Sequence, residues 1–196
     1  MESLLPLVLF AFISSITPGP NNIMLTSSGL RFGFARTVPH LLGVCVGFSL
    51  LLALAALGLG SVLLALPAAQ SVLKVAGSGY LLYLAWQLRS MAFSDDVAAQ
   101  GRPMSFVSAL AFQFANPKAW VMAITGVSAF MPALQPLALA VGVFCLVFSM
   151  VNLPCVSLWA IAGASLRRHL RQPHWQRLFC GAMVLATVYS ALAIWL

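Results

Sequence analysis

Lys118 is where the chemistry of this chain starts. It lies in an apolar stretch, directly after Asn116-Pro117, and an ammonium in such surroundings is costly unless something pairs with it. A second candidate is the early run Thr17-Pro18-Gly19-Pro20-Asn21-Asn22. There two prolines each withdraw an amide donor and crowd the preceding turn, and Gly19 relaxes the backbone between them, so an unbroken helix is not expected. At Asn116-Pro117 the residue before a proline is pushed out of helical geometry, asparagine is a good N-cap and proline suits the first helical position. One half-helix should end there and another begin. Amides freed near Asn21, Asn22 and Asn116 carry partial positive charge and favour an anion, as Lys118 does. Together they describe a seat for an anionic group, such as a ligand carboxylate, on Lys118. The plainer reading is that Pro18 and Pro20 kink a packed helix, Asn116 is only a cap and Lys118 reaches the lipid headgroups. Counted from Phe106, however, Lys118 lies about 18 Å along a helix, leaving roughly 12 Å of a hydrocarbon core about 30 Å thick. A lysine stem does not cover that without thinning the bilayer.

The elements that must position these residues follow from composition. Of 196 residues, 62% are apolar and 7% charged, whereas soluble domains are about a quarter charged. Such a chain is an all-α integral membrane protein solvated by lipid. Six apolar runs of spanning length are predicted, at 4–25, 41–66, 71–88, 106–127, 136–157 (extending to about 165) and 178–196, with Pro39, Pro67, Pro103, Pro132 and Pro173 at their junctions. Arg31, Arg36, Arg89, Arg102, Arg167, Arg168, Arg171 and Arg177 fall in alternate loops, against Lys74 alone on the other side. This bias makes those loops cytoplasmic and both termini external. Glu2, Asp95 and Asp96 lie outside the runs, which leaves Lys118 without a carboxylate at membrane depth. Its counter-charge must come from water, a carbonyl or a ligand. No basic residue precedes Arg31, so the first run is expected to be retained rather than cleaved. The formal charge of +7 is scattered between apolar runs with no nucleic-acid-binding pattern. Cys45, Cys145, Cys155 and Cys180 form no Cys-x-x-Cys pair, so no disulfide framework, metal site or cofactor is expected.

Sliding the chain by 99 residues aligns Thr17-Pro18 with Asn116-Pro117 and Gly43-Val44 with Gly142-Val143; Gly77 pairs better with Gly181, at 104. The reading is a single transmembrane domain, 1–196, of two inverted three-helix repeats (about 1–91 and 104–196, joined by a cytoplasmic loop at 92–103), with helices 1 and 4 broken. Non-helical backbone at membrane depth is tolerated where it is buried in protein or lines a wet cavity, so two breaks at matching places predict one shared site. Gly43 and Gly47 make a GxxxG spacing, with Gly58, Gly60, Gly77 and Gly79 as further small surfaces. Packing inside one subunit is the expectation, the choice between monomer and homodimer staying open. Asn152-Leu153-Pro154 should kink the fifth run, Trp120 lies beside the motif, and Trp195 reads as an interfacial anchor.

Those residues carry a resemblance. TPGPNN at Thr17 to Asn22, the following helix with Gly43 and Gly47, Gly77-Ser78-Gly79-Tyr80-Leu81, and Phe114-Ala115-Asn116-Pro117-Lys118-Ala119 resemble the LysE/RhtB family of bacterial amino-acid exporters over essentially the whole chain. Ser157-Leu158-Trp159-Ala160 and the basic stretch from Arg167 to Arg177 are also similar to its cysteine/O-acetylserine exporter branch. The resemblance implies gradient-driven efflux of amino acids or their small derivatives across the bacterial inner membrane, not an enzyme. With no acidic residue in a span, proton antiport needs another titrating group. Lys118 is the first candidate, because a bound anion favours its protonated form and loss of the anion favours release, and His40 is the second. Rival classes are weaker. A protease would use Ser128, but His169 and His174 fall on the wrong side. Redox chemistry lacks paired ligands. A small-solute channel or a scaffold subunit remains the alternative.

Overall fold

The computed structural model describes residues 4–89, 101–166, 173–193 and 195. Glu2, Asp95, Asp96, Arg167, Arg168, His169 and Arg171 lie outside them. The described residues are helical, without strands: α1 (Leu5–Ile16), α2 (Pro20–Phe32), α3 (Phe34–Leu54), a π-helical turn (Ala55–Leu59), α4 (Gly60–Ala65), α5 (Pro67–Arg89), α6 (Phe106–Ala115), α7 (Pro117–Phe130), α8 (Leu137–Leu166) and α9 (Pro173–Ala193). Two helices are long and apolar enough to cross a membrane by themselves, Phe34–Leu63 and Leu137–Leu166, and the pair α1 and α2, bent by 54°, makes a third if counted as one span. Large side chains such as Leu57, Val107, Leu146, Met150 and Leu185 are exposed, as suits a surface facing lipid. The chain is a multi-pass membrane protein.

The prolines mark most of the boundaries. Pro20, Pro67, Pro117 and Pro173 each open a helix, where the missing amide has no partner to lose. Pro39 is the exception to the expected junctions and lies inside α3. The boundary there is Gly33, whose φ of 79° ends α2 and lets α3 start at Phe34; a proline this close to a helix start removes one interior bond without ending the helix. The first run also continues past 25 to Phe32. Its polar residues do not stop the helix because Thr26 Oγ1 donates back to the Asn22 carbonyl and the Ser28 and Thr37 hydroxyls pair at 2.9 Å. Gly58, at φ 108°, supplies the left-handed residue between α3 and α4. Pro154 lies within the continuous α8.

Glycines decide which helices meet. A Cβ at Gly29 would strike the backbone of Ala160, and one at Gly163 the backbone of Thr26, so α2 and α8 touch backbone to backbone. Gly43 lies against Phe106 and Ala109, and Gly47 against Leu110 and Gln113, which seats α3 on α6. The GxxxG surface is thus used inside one chain, as expected. α5 and α9 are joined by Ser78, whose hydroxyl donates to the Ala191 carbonyl and accepts from Trp195 Nε1. An aromatic cluster closes the core: Phe10 stacks on Phe130 at 4.8 Å, and Phe148 meets Phe10, Phe48 and Phe144 edge-on.

Candidate functional site

Breaking a helix frees carbonyls that a low-dielectric interior must satisfy. At the first break those of residues 14 to 18 are all accounted for. Thr17 Oγ1 donates to the Ser14 carbonyl, Asn22 Nδ2 donates to those of Ser15 and Thr17, and Trp159 Nε1, from α8, donates to that of Ile16. Lys118 Nζ completes the set, donating to the Thr17 carbonyl and Thr17 Oγ1 at 2.9 Å and to the Pro18 carbonyl at 3.1 Å. An ammonium has three protons, and all three are engaged at the carbonyl end of α1, where the helix dipole is negative. Of the three sources of counter-charge open to Lys118, this structure uses the carbonyl.

The second break obeys the same accounting. Asn116 takes extended geometry and caps α7, its Oδ1 accepting from the Lys118 amide at 3.1 Å. That amide would otherwise bond the Phe114 carbonyl, which accepts instead from Trp120 Nε1 at 2.9 Å. Trp120 beside the motif therefore has a structural duty. The two breaks are tied to each other through Asn21 and Gln113, whose carboxamides exchange two hydrogen bonds at 2.8 and 3.1 Å. Gln113 is fully buried and also donates to the Ala109 carbonyl.

Thr17 to Asn22 and Asn116 to Lys118 are thus brought to one place. Two cavities meet at Lys118 and Gly19. One, of about 30 Å³, is bounded by Asn21, Asn22, Asn116 and Asn152 together with Phe48, Met122 and Val156. The other, of about 380 Å³, runs beside Pro18, Pro117 and Trp120 toward α4 and α5. His40 lines neither of them. It is buried in α3, and neither ring nitrogen meets a hydrogen-bond partner among the described residues. Gln113, Asn152 and Trp159 belong to the site although the sequence reading gave them no part in it. Gln113 had a visible signal, as the single carboxamide in the apolar run Phe106–Ala115.

A polar, carbonyl-rich break with a lysine across it offers partners for both an anion and a cation, and comparison with known proteins identifies the family. The LysE type translocator model matches residues 12–193. The chain is 34% identical over 195 residues to the cysteine/O-acetylserine efflux protein of Shigella flexneri serotype 5b, covering 96% of this chain and 98% of that protein. It is 34% identical over 186 residues to the protein of the same name from Escherichia coli, covering 94% and 93%. No solved structure matches. Matched by the family model and by full-length relatives, with the broken-helix residues forming one site, the chain belongs to the LysE type translocator family.

Proposed function

We propose that this protein is a secondary active exporter of amino acids or small amino-acid derivatives, working by proton antiport with alternating access in the bacterial cytoplasmic membrane, both termini outside. The observation that carries this reading is the contact of Lys118 with Thr17 and Pro18. It is an internal ion–carbonyl pair of the same polarity as an amino acid. An arriving zwitterion replaces it end for end, its carboxylate taking the Lys118 ammonium and its own ammonium taking the Thr17 and Pro18 carbonyls. Asn21, Asn22 and Asn116 hold the surrounding backbone in place.

Alternating access by inverted repeats has support in residues that meet at the middle of the fold. One residue off the 99-residue register that pairs Gly43-Val44 with Gly142-Val143, Cys45, Phe48 and Ser49 recur 100 positions later as Cys145, Phe148 and Ser149. Ser49 Oγ and Ser149 Oγ lie 2.7 Å apart, each within reach of the carbonyl four residues earlier, and the Phe48 and Phe148 rings meet at 5.3 Å. Like residues contacting like residues are what a two-fold axis between α3 and α8 would produce, and repeats rocking about such an axis would expose the site to each side in turn. Lys118 remains the first proton-carrier candidate and His40 the second. The names of the relatives make cysteine and O-acetylserine the first substrates to try.

The test is efflux from proteoliposomes preloaded with labelled cysteine, O-acetylserine, homoserine, threonine, leucine and lysine, with and without an inward proton gradient. Saturable efflux that the gradient stimulates and that drives counterflow is expected; linear, non-saturating flux would mean a channel, and none at all a scaffold.

Gly19 offers a finer check. Its backbone is extended, φ −177°, so alanine is allowed there, but the new Cβ would fall 2.7 Å from Lys118 Cδ and 2.9 Å from Nζ. The flexible lysine gives way, not the fold. Gly19→Ala should insert normally and raise the half-saturating substrate concentration about tenfold, the worth of one hydrogen bond to a charged group. An unchanged concentration dependence would separate Lys118 from substrate binding.

A further inference from the structure

The smaller cavity at the break has room for about one water, so an amino acid seated on Lys118 must send its side chain elsewhere. The adjoining space of about 380 Å³ also opens at Lys118 and Gly19, and its volume is that of a small-molecule pocket. Its walls are apolar on two sides, Leu63 and Leu73 from α4 and α5, and Val121 and Ile124 from α7. Three polar side chains interrupt them: Gln70 and Lys74 from α5 and Tyr189 from α9. Lys74 is positioned by Trp195, whose ring centre is 5.8 Å from Nζ, and Trp195 is held by its bond to Ser78. The cavity therefore contains two lysines and, among the described residues, no carboxylate. Lys118 is already matched to the α-carboxylate. Lys74 is a second donor, and it faces the space left for the side chain.

We infer that this cavity receives the side chain of the exported amino acid, and that Lys74 selects side chains in which a short apolar shank ends in a hydrogen-bond acceptor, such as an ester carbonyl or a carboxylate. The inference rests on the export reading above. The shank contacts the leucine, valine and isoleucine walls, and the terminal oxygen accepts from Lys74. A purely apolar side chain of the same length leaves that half-buried ammonium unpartnered by the ligand, and a donor denied an acceptor is a stronger source of discrimination than missing methylenes.

The experiment is competition in proteoliposomes between side chains of similar length, O-acetylserine against norleucine and glutamate against norvaline. The parent protein should export the acceptor-ended member of each pair preferentially. In Lys74→Met that preference should fall about tenfold, the loss of one hydrogen bond to a charged group, and Lys74→Arg should restore most of it. Lys74→Gln serves as the second variant if the methionine protein fails to insert. A lipid phosphate could also sit on Lys74, so each protein is run in vesicles of phosphatidylcholine alone and with added phosphatidylglycerol. Preference that tracks the anionic lipid assigns Lys74 to the bilayer and overturns the inference. So does a preference unchanged within twofold in working Lys74→Met and Lys74→Gln proteins, which leaves the export reading standing. A parent protein that moves no amino acid removes both.

Discussion

Lys118→Ala should stop efflux of every amino acid while the chain still folds and inserts. The ammonium makes three bonds, two to carbonyls and one to a hydroxyl, and bonds to a charged donor are each worth about 1.5–3 kcal/mol. In the proposed loaded state the same ammonium bonds the substrate carboxylate, and losing two such bonds should slow transport by roughly 100-fold or more. The fold does not depend on them to the same degree. The α7 cap uses the Lys118 backbone amide, not its side chain, and the Thr17 carbonyl keeps Asn22 as a partner. Detergent-solubilised protein should therefore melt within a few degrees of the parent. Lys118→Arg separates charge from proton exchange, because a guanidinium keeps the positive charge but does not release its proton at any working pH, and its planar fork does not match three converging acceptors. It should retain at most weak, gradient-insensitive flux. Parent-level transport driven by a pH gradient in the arginine protein would remove Lys118 from the coupling step.

The second large effect is on stability. Gly29→Ala and Gly163→Ala each place a methyl against backbone, at Ala160 and Thr26 respectively, with further contacts of 3.0 Å to the Ala160 carbonyl carbon and the Leu30 amide. Backbone cannot turn aside as a side chain can, so α2 and α8 must separate. Overpacking of this kind costs about 1–3 kcal/mol, and here it falls on the upper figure because close approach of small residues is what holds membrane helices together. Gly142→Ala and Gly79→Ala are the controls, since a Cβ there meets nothing within 4 Å. A thermal melt should show the first pair strongly lowered and the second pair near the parent. Equal melting temperatures in all four would mean that the α2–α8 contact does not limit stability.

Which parts of this were legible in the sequence follows from the range of the forces involved. The breaks at Thr17 to Asn22 and Asn116 to Lys118 are local events: proline removes a donor, asparagine supplies a cap, and no distant residue is needed to foresee either. What satisfies each freed carbonyl is a tertiary matter. Trp159 reaches Ile16 across 143 positions and Asn21 reaches Gln113 across 92, and no local pattern announces such pairs. Pro39 misled for a related reason. A proline points to a boundary, but the chain has already turned at Gly33, whose positive φ is a stronger stop signal than a proline six residues further on.

The three bonds of Lys118 bear on the half of the cycle in which nothing is carried. An exporter that delivers a net flow must reset unloaded, and a bare ammonium at this depth would oppose closure around a vacant seat. On the proposed cycle the seat is its own placeholder: without cargo the charge rests on the Thr17 and Pro18 carbonyls just beyond α1, and with cargo it would rest on a carboxylate while those carbonyls take the incoming ammonium. The two forms balance charge equally well, so neither is trapped facing one side. Such a carrier is suited to one-way discharge of a surplus metabolite rather than to obligatory one-for-one swapping, which would require the unladen form to be the one that cannot turn over.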